Sequence, residues 1–167
     1  MNIKAHKRGG ALLMVIILLH NFPPVLSLKC FVIYIVSVIS ATIGAMLPDI
    51  DYPKSYLGRK CRLISNFVYN LFGHRGFIHS PLCLLLLYTM LLLIFGYIPY
   101  KSIYIKVFID SICIGYASHL VLDMLTPAGI PLLYPFSKKR CRLLCLTNDN
   151  GNKLIYCILI FLLLCLM

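Results

Sequence analysis

Five histidines (His6, His20, His74, His79, His119) and five aspartates (Asp49, Asp51, Asp110, Asp123, Asp149) hold most of the acid–base and ligating chemistry of this chain, which has no glutamate. His119 and Asp123 stand four positions apart, so on a helix they share a face. His74 and His79 flank Arg75 within Gly73-His74-Arg75-Gly76-Phe77-Ile78-His79-Ser80-Pro81. Asp49 and Asp51 lie between Pro48 and Pro53. A residue before proline avoids the helical region, so this stretch reads as extended chain with both carboxylates on one side. Imidazole mixed with carboxylate suits Zn²⁺, with Mn²⁺ or Fe²⁺ as alternatives. Eight cysteines are present, but none form a C-x-x-C pair, so a thiolate zinc site is not expected. They read as packing residues, reduced where they face the cytoplasm.

Such residues matter only if something brings them together, and the composition says what. Of 167 residues, 60% are hydrophobic and only 13% charged, with a mean hydropathy of +0.90. A soluble domain carries roughly 25% charged residues, and disordered chains are poor in apolar ones. A single membrane-embedded domain over residues 1–167 is expected. Spans need about 20 apolar residues. Charge-free stretches run over Gly9–Leu28, Cys30–Pro48 and Gly76–Tyr100, and a fourth over Val107–Thr126 holds only Asp110 and Asp123. The predicted fold is an all-α polytopic helical bundle of four spans, plus a short C-terminal hydrophobic helix over Leu154–Met167. The first stretch resembles a signal peptide but lacks a small-x-small cleavage pattern, so it is expected to stay attached.

Lysine and arginine set the orientation. With the N-terminus in the cytoplasm, thirteen of the sixteen basic residues fall inside, leaving Lys29, Lys101 and Lys106 outside. This bias accounts for the net charge of +11 without nucleic-acid binding. Lys138-Lys139-Arg140 and Arg142 read as contacts to anionic headgroups. The same topology gathers His6, Asp49, Asp51, His74, His79, His119 and Asp123 at the cytoplasmic leaflet, and leaves out His20, Asp110 and Asp149. His20 with Phe22-Pro23-Pro24 reads as a kink or turn leaving the first span. Ser80-Pro81 reads as a helix start, serine capping and proline at the first helical position. A carboxylate inside a membrane helix costs about 3 kcal/mol or more unless partnered, and a metal ion would partner Asp123. Seven candidate ligands exceed the four of a closed structural site. That leaves room for more than one ion, or for one ion with spare acid–base groups able to generate hydroxide near neutral pH. Arg75 either holds an anionic group such as phosphate or is a solvated charge.

The segments Met46–Ser55, Gly73–Pro81 and Gly115–Phe136 together resemble the YdjM-type inner-membrane proteins, described as metal-dependent hydrolases. The family pattern has a His near the N-terminus, then L-P-D-I-D, H-R-G-x-T-H-S and S-H-L-x-x-D-x-x-T-x-x-G. His6, Asp49, Asp51, His74, His79, His119 and Asp123 fall on it. Ile78 departs from the usual Thr, and the end of the chain is short. The resemblance implies a metal-dependent hydrolase of the inner (plasma) membrane; the residues themselves make Asp51 an expected ligand or general base and Arg75 a candidate catalytic residue. A lipid or lipid-linked ester or phosphoester is the expected substrate, since a site level with the headgroups meets lipids at high local concentration. A metal transporter or sensor and a non-catalytic membrane scaffold are the rival readings; oligomeric state is left open.

Overall fold

A computed structural model describes residues 3–21, 27–96 and 103–143. The expected C-terminal helix over 154–167, the Phe22-Pro23-Pro24 turn and Asp149 lie outside the described residues. Among the described residues the fold is helical throughout. The helices are α1 (Ile3–Asn21), α2 (Leu28–Gly44), α3 (Tyr56–Lys60), α4 (Arg62–Phe72), α5 (Pro81–Gly96) and α6 (Ile103–Met124), with short 3₁₀ turns at Leu47–Asp51 and Phe77–His79. After α6 the chain folds back on itself, pairing Ile130 with Cys141 in an isolated bridge and returning the Leu143 N–H to the Met124 carbonyl at 2.9 Å.

The four long helices follow the order of the four predicted spans, but their lengths differ from the charge-free runs. Two stretches are long and apolar enough to cross a bilayer, Leu28–Asp51 and Ile103–Met124. The apolar α5 has 16 residues because its first turn waits for Pro81. The helix α1 starts earlier than expected and takes Lys4, His6, Lys7 and Arg8 into its first turns. Length and apolar composition together thus support two of the four expected crossings.

Small residues hold the bundle together. Ser37, Ser40, Ala41 and Gly44 line the buried face of α2, and Ser111, Gly115 and Ser118 that of α6. The two backbones touch: a Cβ on Gly115 would fall 2.0 Å from the Ala41 carbonyl oxygen, and one on Gly44 would fall 2.1 Å from that of Ile112. Lipid tails are as apolar as leucine side chains, so helices in a membrane associate through such close packing rather than through water exclusion. Helix α1 lies against both partners, with Met14 and Leu18 packed on Ala41. Large apolar side chains point outward instead, among them Ile35, Ile39 and Ile43 on α2 and Leu85, Leu92 and Leu93 on α5.

Candidate metal centre

The site lies where the end of α2, the start of α1 and the last turns of α6 meet. The Leu47–Asp51 turn corrects the expectation of extended chain. Pro48 occupies the start of a 3₁₀ helix, where its fixed φ fits. The restriction imposed by Pro53 falls only on Tyr52, which is extended at φ −120° and ψ 107°. With three residues per turn, Asp49 and Asp51 point in different directions rather than to one side. Asp49 faces His119, its Oδ1 3.9 Å from Nε2.

Asp51 is fully buried and its two oxygens are both engaged. Oδ1 accepts from His74 Nδ1 at 2.9 Å; Oδ2 accepts from His79 Nδ1 at 2.9 Å and from the Arg75 backbone N–H at 2.9 Å. It stands behind the histidines. The turn that delivers these groups begins at Gly73 (φ +69°) and continues through Arg75, itself at φ +58°. A left-handed arginine is strained, and such strain persists only where the surroundings impose it. Here its N–H is tied to Asp51 and its guanidinium to Asp123 and Thr126, both at 2.9 Å. Arg75 is 8% exposed, which rules out a solvated charge. Thr126, a partner that spacing alone did not reveal, also donates to the Asp123 carbonyl at 2.8 Å.

Five of the seven expected ligands converge. His6, His119 and Asp123 form one group of donor atoms lying within 4.8 Å of one another, and Asp49, His79 and His119 form a second. Around Asp123 the Nε2 atoms of His6, His79 and His119 stand 3.5, 3.4 and 3.6 Å from a carboxylate oxygen. The His6 and His119 rings are stacked at 3.7 Å. His74 is set apart from both groups, edge-on to His79 at 5.6 Å and with its side chain 36% exposed. His20 is exposed at the far end of α1. As expected, the N-cap of α5 is Ser80, whose Oγ accepts from the Cys83 N–H at 3.2 Å. At the Ile78 departure, the backbone carbonyl accepts from Tyr116 O–H, tying this turn to α6.

The protonation pattern bears on what the cluster can hold. His119 Nδ1–H donates to the Ala45 carbonyl at 2.7 Å, and His79 Nδ1–H donates to Asp51. With Nδ1 committed as donor, either imidazole in its neutral form turns the lone pair of Nε2 inward. Those two Nε2 atoms are buried and make no hydrogen bond, and neither does His6 Nδ1. Lone pairs facing carboxylate oxygens need a cation or a proton between them. His79, in the turn ahead of α5, takes a proton readily. Burial works to lower its pKa, but the Asp123 and Asp51 carboxylates outweigh it and raise the pKa to about 9. The donor set fits a divalent ion of the zinc type, and ring nitrogens anchored from behind by carboxylate or carbonyl are the usual support for such ligands.

A cavity of about 540 Å³ opens over the cluster, lined by Asp49, Asp123, His74, Lys54, Arg59 and Arg75, among others.

A family model described as "YdjM inner membrane protein" matches residues 1–167. "Inner membrane protein YdjM" of Escherichia coli (strain K12) is 42% identical over 115 residues, covering 69% of this chain and 57% of that protein. "Uncharacterized protein YvsG" of Bacillus subtilis (strain 168) is 43% identical over 96 residues, covering 58% of this chain and 55% of its own length. The match thus spans little more than half the length of either relative. No solved structure matches.

Proposed function

Since the chain belongs to the YdjM family of inner membrane proteins, we propose that it is a membrane-bound metal-dependent hydrolase. Its substrate would be an ester, and above all a phosphoester, in a lipid or lipid-linked molecule. The observation that carries this reading is the inward convergence of the buried Nε2 atoms of His79 and His119 on Asp123, neither of them making a hydrogen bond. A scaffold that used the same residues only to join helices would satisfy those nitrogens, because a buried polar atom without a partner costs about 1–3 kcal/mol.

In this reading His6, Asp49, His79, His119 and Asp123 hold the ion, taken as Zn²⁺ with Mn²⁺ or Fe²⁺ as alternatives. A divalent ion held there would supply Lewis acidity and lower the pKa of water toward neutral, so that hydroxide is available near neutral pH. The protein does the rest. Asp51 acts through others, fixing His79 and His74 in orientation and holding the Arg75 backbone. His74, steered by Asp51 and partly open to the cavity, donates the proton to the leaving oxygen. Arg75 balances Asp123 and lines the cavity, where its charge favours an anionic substrate. Lys54 and Arg59 on the cavity wall favour a phosphate over a neutral ester. The four-span topology with the N-terminus and the site on the cytoplasmic side belongs to the same proposal, supported by the distribution of basic residues.

Two measurements test it together. Purified protein is expected to carry stoichiometric metal and to release phosphate or acyl product from bilayer lipids in a chelator-sensitive way. Metal without release from any lipid class would remove the substrate assignment, and absence of metal would remove the whole reading.

A further inference from the structure

The helix α4 presents three different sides. Leu63, Ile64, Phe67 and Leu71 recur at helical spacing, form one stripe and are all exposed, Leu63 at 87% and Phe67 at 66%. Ser65, on a second side, is fully buried, tucked against Gly58 of α3. Arg62, Asn66 and Asn70 make a third, polar and exposed side. At 11 residues and about 1.5 Å per residue, α4 is too short to cross a hydrocarbon core of about 30 Å. Among the described residues nothing covers its apolar stripe.

Two observations identify what does. Arg59, Lys60 and Arg62 are exposed at the N-terminal end of α4, so the apolar stripe is flanked by positive charge. The outward faces of α2 and α5 are equally apolar, and in an inner membrane protein such faces meet lipid. An amphipathic helix with a basic flank and an exposed apolar face has the signature of a segment lying along a bilayer surface. We propose that α4 lies in the plane of the leaflet nearest the metal centre, with Leu63, Ile64, Phe67 and Leu71 in the acyl region and Arg59, Lys60 and Arg62 on anionic phospholipid headgroups. It leads directly into Gly73 and His74, and therefore fixes the depth at which the site sits. This inference requires only that the protein is embedded in a membrane, so it stands or falls apart from hydrolysis.

The chain contains no tryptophan, which makes a single introduced one a clean reporter. Full-length Phe67→Trp and Asn66→Trp are compared in vesicles of phosphatidylethanolamine and phosphatidylglycerol whose acyl chains carry bromine near the headgroup. Phe67→Trp should lose most of its emission to the bromine, whereas Asn66→Trp, on the polar side, should keep most of its own. Leu63→Trp repeats the measurement at the most exposed position, in case the first substitution disturbs folding. Equal quenching of the 66 and 67 variants would overturn the proposal. So would blue-shifted but unquenched emission from both 67 and 63, the signature of a stripe covered by a second copy or by another part of the chain. Replacing the phosphatidylglycerol with phosphatidylcholine should weaken quenching at position 67; identical quenching would overturn the role of the basic flank.

Discussion

At the scale of single residues, the two buried aspartates, Asp123 and Asp51, make opposite predictions. Asp123→Asn and His119→Ala remove inward donors and should leave purified protein without stoichiometric metal. Asp51→Asn keeps every inward donor and loosens only their support, so elemental analysis and competition with a chelator should show metal bound about 10–100-fold more weakly. A pH effect follows from His79. Its pKa is raised to about 9 by the neighbouring carboxylates, so the metal-free protein carries a proton there at neutral pH, and an incoming ion must displace it. Affinity should therefore rise with pH, by about tenfold per unit for one released proton between about pH 6 and about pH 8, and flatten near 9; titration calorimetry in two buffers counts the proton directly. The ligating residue types were legible in the sequence, because histidine and aspartate stand out in so apolar a chain. Which of Asp49 and Asp51 faces inward was not, since that depends on whether five residues wind as a 3₁₀ turn or run extended. Thr126 was equally hidden: a threonine at a helix end is ordinary until an arginine from a distant turn reaches it.

At the scale of elements, the contact between α2 and α6 sets how the site is spaced. Gly115 and Gly44 have no room for a side chain, so Gly115→Val must push the two backbones apart. Overpacking of this kind costs on the order of 1–3 kcal/mol, and here it also separates His119 from Asp49 and Ala45. The expected outcome is a lower melting temperature in detergent together with loss of bound metal; a stable variant that keeps its metal would show that the spacing is set elsewhere. The long helices were visible as charge-free runs, although their ends moved where Pro81 delayed α5 and where α1 drew basic residues into its first turns. The helix α4 escaped notice because its stripe is interleaved with Arg62, Ser65, Asn66 and Asn70 inside a polar connection, and no run of apolar residues marks it.

At the scale of the whole molecule, the asymmetric placement of thirteen of sixteen basic residues predicts which way the bundle faces. Alkaline phosphatase fused after Gly96 should be active, and the same enzyme fused after Ser137 should be inactive; the reverse pattern would turn the metal end outward. The candidate ligands are gathered from far apart along the chain: His6 from α1, Asp49 and His79 from two turns, His119 and Asp123 from α6. Chains are made from the N-terminus onward, so a nascent chain halted before α6 owns His6, Asp49 and His79 but neither of the donors around which the cluster closes. On the proposed reading, an ion could load only after α6 has been made, which would keep a half-made protein from capturing the wrong one.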